Sequence, residues 1–350
     1  MTTPSPLLSL PGAVAGDGAD APVAAHYGSF NVEQRTLASG EGFVDLSHRD
    51  VVRIAGPDRL TWLHSLTSQA FEGLAPGVWT SALVLSPQGH VEHFFSGVDD
   101  GTSFLAWTEP GRGDALAAYL ERMKFWSDVT VTPEPSQVVV WRVSTSSTTG
   151  TSSTTGTSST TGTSSTTGTS STTGKYSFVP RESLETYAAA AGPACGFWAF
   201  EALRIERGEP RFGVDTDTRT IPNEVGWVPG SEETAGSEYA VHLDKGCYRG
   251  QETVARVHTL GRPPRRLVLL HLDGSENRLP AAGSELVLGE KTVGFVGSSA
   301  RHHELGPIAL GLVKRNVAVD AQLVVDGMPV AQEILVDPEI GLHIRPLRQG

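Results

Sequence analysis

At 350 residues, with 39% hydrophobic side chains, seven Trp and twelve Phe, the chain is long enough for two or three packed units and too apolar to stay unfolded throughout. Its 39 acidic against 27 basic residues leave a formal net charge of -12, which excludes the broad cationic surface that non-specific nucleic-acid binding needs. Two cysteines are too few for a disulfide scaffold, no apolar run is long enough to span a membrane, and the first 30 residues lack the basic start and apolar core of a signal peptide. A cytoplasmic protein with no membrane and no direct nucleic-acid partner is therefore expected.

Residues 1–38 are rich in Ala, Pro and Gly and read as a flexible N-terminal tail. A core follows over 39–260. VVRIAG (51–56) reads as a strand, after which Pro57 and Asp58 open a helix, LTWLHSL, since proline suits the first helical turn and an acid there suits the dipole. WTSALVLS, HVEHFFSGV and SFLAWTE are apolar runs separated by the turn sequences SPQG and DDG, which predicts an antiparallel meander. DALAAYLERMKFW (114–126) reads as a helix.

Residues 145–174 are five copies of TSSTTG, with nothing apolar to offset ordering entropy, so 144–175 reads as a disordered loop between the strands QVVVWRV and YSFVP. A helix from about Arg181 follows, then another, GFWAFEALRIERG (196–208), stopped by Gly208. Over 261–350 the pattern becomes short strands at close spacing with glycine turns and no helical period, which predicts a small C-terminal β-barrel.

Two places carry charge where chemistry is plausible. On a helical wheel of 196–208, Trp198, Ala199, Ala202, Leu203 and Ile205 form one apolar arc, with Glu201 and Arg204 pointing away and Glu206 inside it. Glu206 either reaches water past the helix end or is a half-buried carboxylate that accepts hydrogen bonds from a ligand. In LDKGCYRGQE (243–252), Cys247 lies between glycines, with Lys245 and Arg249 near enough in sequence to favour its thiolate and a helix expected from about Gln251. The alternative is a packed small residue; Cys195, without charged neighbours, reads as structural. Arg249, Arg256, Arg262, Arg265 and Arg266 make a basic run that can receive carboxylates or phosphates, against the alternative of a solvated face. His90 and His93, three apart on a strand, point to opposite sides and do not form a metal pair. HRD at 48–50 has no accompanying glycine-rich loop or DFG, so a kinase site is discarded.

KGCYRGQE (245–252) resembles the motif of the YgfZ-type folate-binding proteins, relatives of the glycine-cleavage T-protein, an aminomethyltransferase. Further matching stretches are RIAGPDRLTWLHSLTSQ (53–69), ALRIERGEPRFGVD (202–215), TIPNEV (220–225) and VGFVGSSARHHELGPIALGLVKR (293–315), so the resemblance spans about 40–335, without the repeat and an extra loop at 230–238.

It implies an α+β fold: a T-protein-like folate-binding core of mixed sheets and helices with the small C-terminal β-barrel. It further implies tetrahydrofolate or another folate as ligand, with Glu206 of the R-x-E-x-G segment (Arg204, Glu206, Gly208) on the pterin and Tyr248, Gln251 and Glu252 beside it. Cys247 is then the working thiol, flanked by Lys245 and Arg249. Where T-proteins carry an Asp-Asp pair, GHVEHFF (89–95) has His93 and Phe94, so the acid/base carboxylate is missing; His93, titrating near neutral pH, is the candidate replacement. The function implied is a folate-binding accessory protein supporting iron-sulfur cluster assembly or repair in client enzymes, tRNA-modifying ones among them, through transient contacts. No permanently bound metal or cluster is expected, since one cysteine cannot complete such a site. The alternative is a folate-dependent aminomethyltransferase or other one-carbon transferase.

Overall fold

The computed structural model describes residues 3–143, 174–229, 239–276 and 278–339. The TSSTTG repeat, the loop at 230–238 and the C-terminal residues from 340 onward lie outside the described residues. The helices are α1 (Phe30–Ala38), α2 (Arg59–Leu66), α3 (Gly113–Arg122), α4 (Leu184–Ala191), α5 (Phe197–Glu206) and α6 (Gln251–Leu260).

The expected meander forms. Trp79–Leu85, Val91–Asp99 and Ser103–Thr108 pair in sequence, and Asp50–Ala55 and Thr130–Pro133 extend them into a five-stranded antiparallel sheet. One face buries Val84, Phe95 and Phe104 against Leu116 and Leu120 of α3. That helix stops at Arg122, four residues short of the expectation, and Phe125 and Trp126 lie past its end with Trp126 99% exposed. A second sheet runs Gly174–Pro180, Gln137–Val143, Phe43–Asp45, Ala194–Cys195. Its first two strands form a hairpin that pairs Val143 with Gly174 across the base of the repeat. From Arg265 to Ile334 six strands close into the predicted barrel, with Val268, Leu270, Leu286 and Val313 among its filling.

Residues 3–38 correct the expectation of a tail. Leu7 and Val23 are fully buried, and the Ser5 hydroxyl donates to Asp45. Glu33 accepts from the backbone of Gly196, and Gln34 donates to the carbonyl of Arg301 and accepts from His303 N–H. Composition concealed this because the segment is held by single polar contacts to residues far along the chain, with little apolar periodicity of its own.

α5 also departs from its wheel. Every residue from Phe197 to Ile205 except Trp198 is buried, because the helix is enclosed by α1, the N-terminal strand Ala24–His26 and the barrel strand Lys291–His302. A helix covered on nearly every side leaves little solvent face for a charge to seek. Glu201 and Arg204 accordingly lie inside, paired to each other through two contacts of 2.8 Å. Arg204 reaches on to Asp215 at 3.1 Å and Ser298 at 2.5 Å, tying the helix to the barrel.

Candidate functional site

The end of α5 shapes a large cavity. Gly208, at φ +69°, donates to the carbonyl of Ile205 at 3.0 Å while Glu209 N–H reaches Arg204 O at 3.1 Å, the paired contacts of a Schellman stop. The stop turns Arg207, Glu209 and Arg211 onto the wall of a cavity of about 620 Å3 between the two sheets and the barrel. That size suits a small organic molecule. Phe94, Trp107, Trp141, Tyr176 and Trp227 supply aromatic walls; Phe94 stacks on Trp227 at 5.3 Å and Trp107 lies 5.0 Å from Tyr176. Such a lining favours a flat, aromatic ligand.

Four guanidinium groups face this space. Arg204 is held as described. Arg207 pairs with Glu209 at 2.8 Å and lies 5.1 Å over the Trp141 ring. Arg211 grips Glu109 at 2.7 Å and Asp20 at 2.6 Å. Arg49 lies 3.9 Å over Trp107 and reaches Glu109 only at 3.6 Å; its buried Nε and Nη1, and the buried Nε1 of Trp107, have no hydrogen-bond partner among the described residues. Unmade hydrogen bonds on buried groups cost roughly 1–3 kcal/mol each, so these donors favour an acceptor brought against this wall.

The predicted site residues separate into two places. Arg204 lines the cavity, but Glu206 does not: its carboxylate turns to His302 Nε2 at 3.3 Å, and that contact holds it below the usual carboxylate range. Lys245, Cys247, Tyr248, Arg249, Gln251 and Glu252 share a surface loop and the first turn of α6, and none of them lines the cavity.

In that loop the Lys245 ammonium is buried against the carbonyls of His64 and Thr67, the C-terminal end of α2, where a cation suits orphan carbonyls and the dipole. Burial lowers it to about 8. Arg249 pairs with Glu92 at 3.0 Å, and Tyr248 is partly buried with its ring 5.0 Å from Lys245 Nζ. Gly250, at φ +82°, lets the loop meet the turn at Ser86, whose carbonyl would lie 2.5 Å from any Cβ placed there. Cys247 is exposed, whereas Cys195 is buried and its thiol is pushed up to about 12.

Adjacent strand positions sort the other candidates. Phe94 faces the cavity, and His93 lies on the opposite face, 5.3 Å from Tyr119. Burial, then Arg112 and Arg122, lower His93 to about 4, so the imidazole is uncharged at neutral pH rather than titrating there. The basic run also disperses: Arg265 pairs with Asp217 and Glu224, Arg262 lies 3.6 Å from Glu339, and Arg266 donates to barrel carbonyls from a fully buried position. Among the described residues no group of three or more His, Cys, Asp or Glu is placed to hold a metal ion, and no helix is long and apolar enough to cross a membrane.

Sequence reading missed Arg49, Trp107, Glu109 and Arg211. Two of them sat in view, Arg49 in the HRD set aside and Arg211 in the EPRFG continuation of the α5 segment.

No family model matches the chain. It is 25% identical over 327 residues to an aminomethyltransferase of Cutibacterium acnes, covering 83% of this chain and 84% of that protein. It is 32% identical over 146 residues to the tRNA-modifying protein YgfZ of Escherichia coli, covering 42% and 40% of the two chains. The glycine cleavage system aminomethyltransferase T of Bartonella henselae shares its fold, with a TM-score of 0.72 over 95% of both chains at 18% identity.

Proposed function

Because the chain is a YgfZ-type relative of the aminomethyltransferases, we propose that it binds a folate in the cavity behind α5 and serves as an accessory protein for iron-sulfur enzymes. The cavity is the observation that carries the first half. It has room for a pterin, aromatic walls for a flat ring to stack on, and unpartnered buried donors on Arg49 and Trp107 for the ring's acceptors.

Those residues fit tetrahydrofolate, whose part is to carry a one-carbon group. The chain's own part is to stack the ring, exclude water from it and fix its orientation. Tetrahydrofolate added to the protein should quench the fluorescence of the tryptophans lining the cavity with a saturable midpoint; no saturation at millimolar concentration would remove the ligand.

In the second half of the proposal Cys247 is the working thiol, exposed where another protein can reach it, with Lys245 and Arg249 setting the loop's shape. Soft thiolate suits a transient contact with iron or a cluster. Cells carrying Cys247→Ala should lose activity of cluster-containing, including tRNA-modifying, enzymes; unchanged activity would end this role. Isolated protein carrying stoichiometric iron and sulfide would contradict a transient contact.

The second reading, a one-carbon transferase, is favoured by the likeness to aminomethyltransferases over most of the chain. Phe94 on the cavity wall, where those enzymes carry a carboxylate, weighs against it. Turnover of a methylamine donor with tetrahydrofolate would decide for the enzyme.

A further inference from the structure

The cavity wall has one place where an acceptor and donors stand side by side without satisfying each other. Glu109 Oε2 accepts from Arg211 at 2.7 Å, while Arg49 Nη2 stands 3.6 Å from Oε1, too long for a hydrogen bond. Beside it lie the unpartnered Nε and Nη1 of Arg49, both Glu109 and Arg49 being at least nine-tenths buried. Each of the other cavity guanidiniums has at least one carboxylate at 2.8 Å or closer.

The geometry points to Glu109 and Arg49 as a pair that reads a lactam edge, a ring N–H next to a ring C=O, and so selects 4-oxo pterins over 4-amino ones. The inference rests on the folate reading and names its selectivity. A carboxylate oxygen accepts from the ring N–H and the adjoining amino group; a guanidinium that can only donate takes the carbonyl. Replacing that carbonyl by an amino group sets donor against donor and leaves Arg49 unpaired. Trp107, whose face the Arg49 guanidinium covers, adds its own N–H as a second donor. Glu109 thus takes the part that the sequence suggested for Glu206.

The test compares tetrahydrofolate with its 4-amino-4-deoxy counterpart on the full chain, at a pH where both rings are neutral. Wild type should bind the 4-oxo compound roughly tenfold to a hundredfold more tightly, the worth of one charge-assisted hydrogen bond. Arg49→Met should lose that preference while still binding both. Equal binding of the two compounds by wild type overturns the lactam reading and leaves the folate site standing. A preference that persists in folded Arg49→Met overturns the role of Arg49. Failure of wild type to bind either compound overturns the folate reading and this inference with it. The wild-type comparison needs no variant, so a misfolded Arg49→Met cannot decide the matter.

Discussion

The cavity wall is assembled from side chains as far apart in sequence as Arg49 and Val336, whereas the loop around Cys247 takes its shape from a few consecutive residues and the end of one helix. The first is a set of buried charges, most of which already have partners, with one pair held open. The second is an exposed sulfur on a loop fastened by a buried lysine. On the proposed reading, recognition and reactivity are built separately: ligand geometry comes from the packing of two sheets against the barrel, and access to the thiol from a single short motif.

That separation can be broken or sharpened by experiment. The largest effect belongs to the buried network. Arg204→Met removes the cation hydrogen-bonded to both Glu201 and Asp215 and should cost about 3–5 kcal/mol of stability by urea unfolding. If the loss were under about 1 kcal/mol, the cavity wall would not depend on this tie. Next come the two thiols. Iodoacetamide under native conditions should label Cys247 more than about a hundredfold faster than Cys195, which is buried and has its thiol pushed up to about 12. Mass spectrometry of the tryptic peptides reads the ratio, and comparable rates would mean the core around Cys195 opens easily.

A smaller loss is expected from Lys245→Met, which leaves the end of α2 with two uncapped carbonyls and should cost about 1–2 kcal/mol. Tetrahydrofolate affinity should stay the same; a parallel fall in affinity would join the two regions. The smallest effect is on His93. Its folded value of about 4 lies below the ordinary 6.5, so the unfolded chain takes up the proton first and stability falls as pH drops from about 6.5 to 4. His93→Phe should remove on the order of 1 kcal/mol of that acid loss, seen as a smaller shift of the urea midpoint between pH 7 and 5.

Much of the fold was legible. The meander and the barrel announced themselves through short apolar runs broken by glycine turns, and the stop of α5 through Gly208. The wheel of α5 misled because amphipathicity sorts a helix only when one side meets water; enclosed on nearly every side, this one buries its ions as a network. The N-terminal residues were misjudged for a related reason, since single polar contacts leave no period to detect. As for the site, the loop motif was visible because it is contiguous. Glu109 and Arg49 were not, because each contributes one residue from a different strand end, and only the pairing of Asp50 with Thr108 inside one sheet brings them within 3.6 Å.

The hairpin pairing of Val143 with Gly174 has a consequence at the level of the gene. With Val143 and Gly174 fixed as neighbours, the register of the two strands is set on either side of the repeat, whatever the number of TSSTTG copies between them. Copy number there can drift between generations without disturbing the fold. The same spot is a natural address for inserting a reporter or an affinity handle.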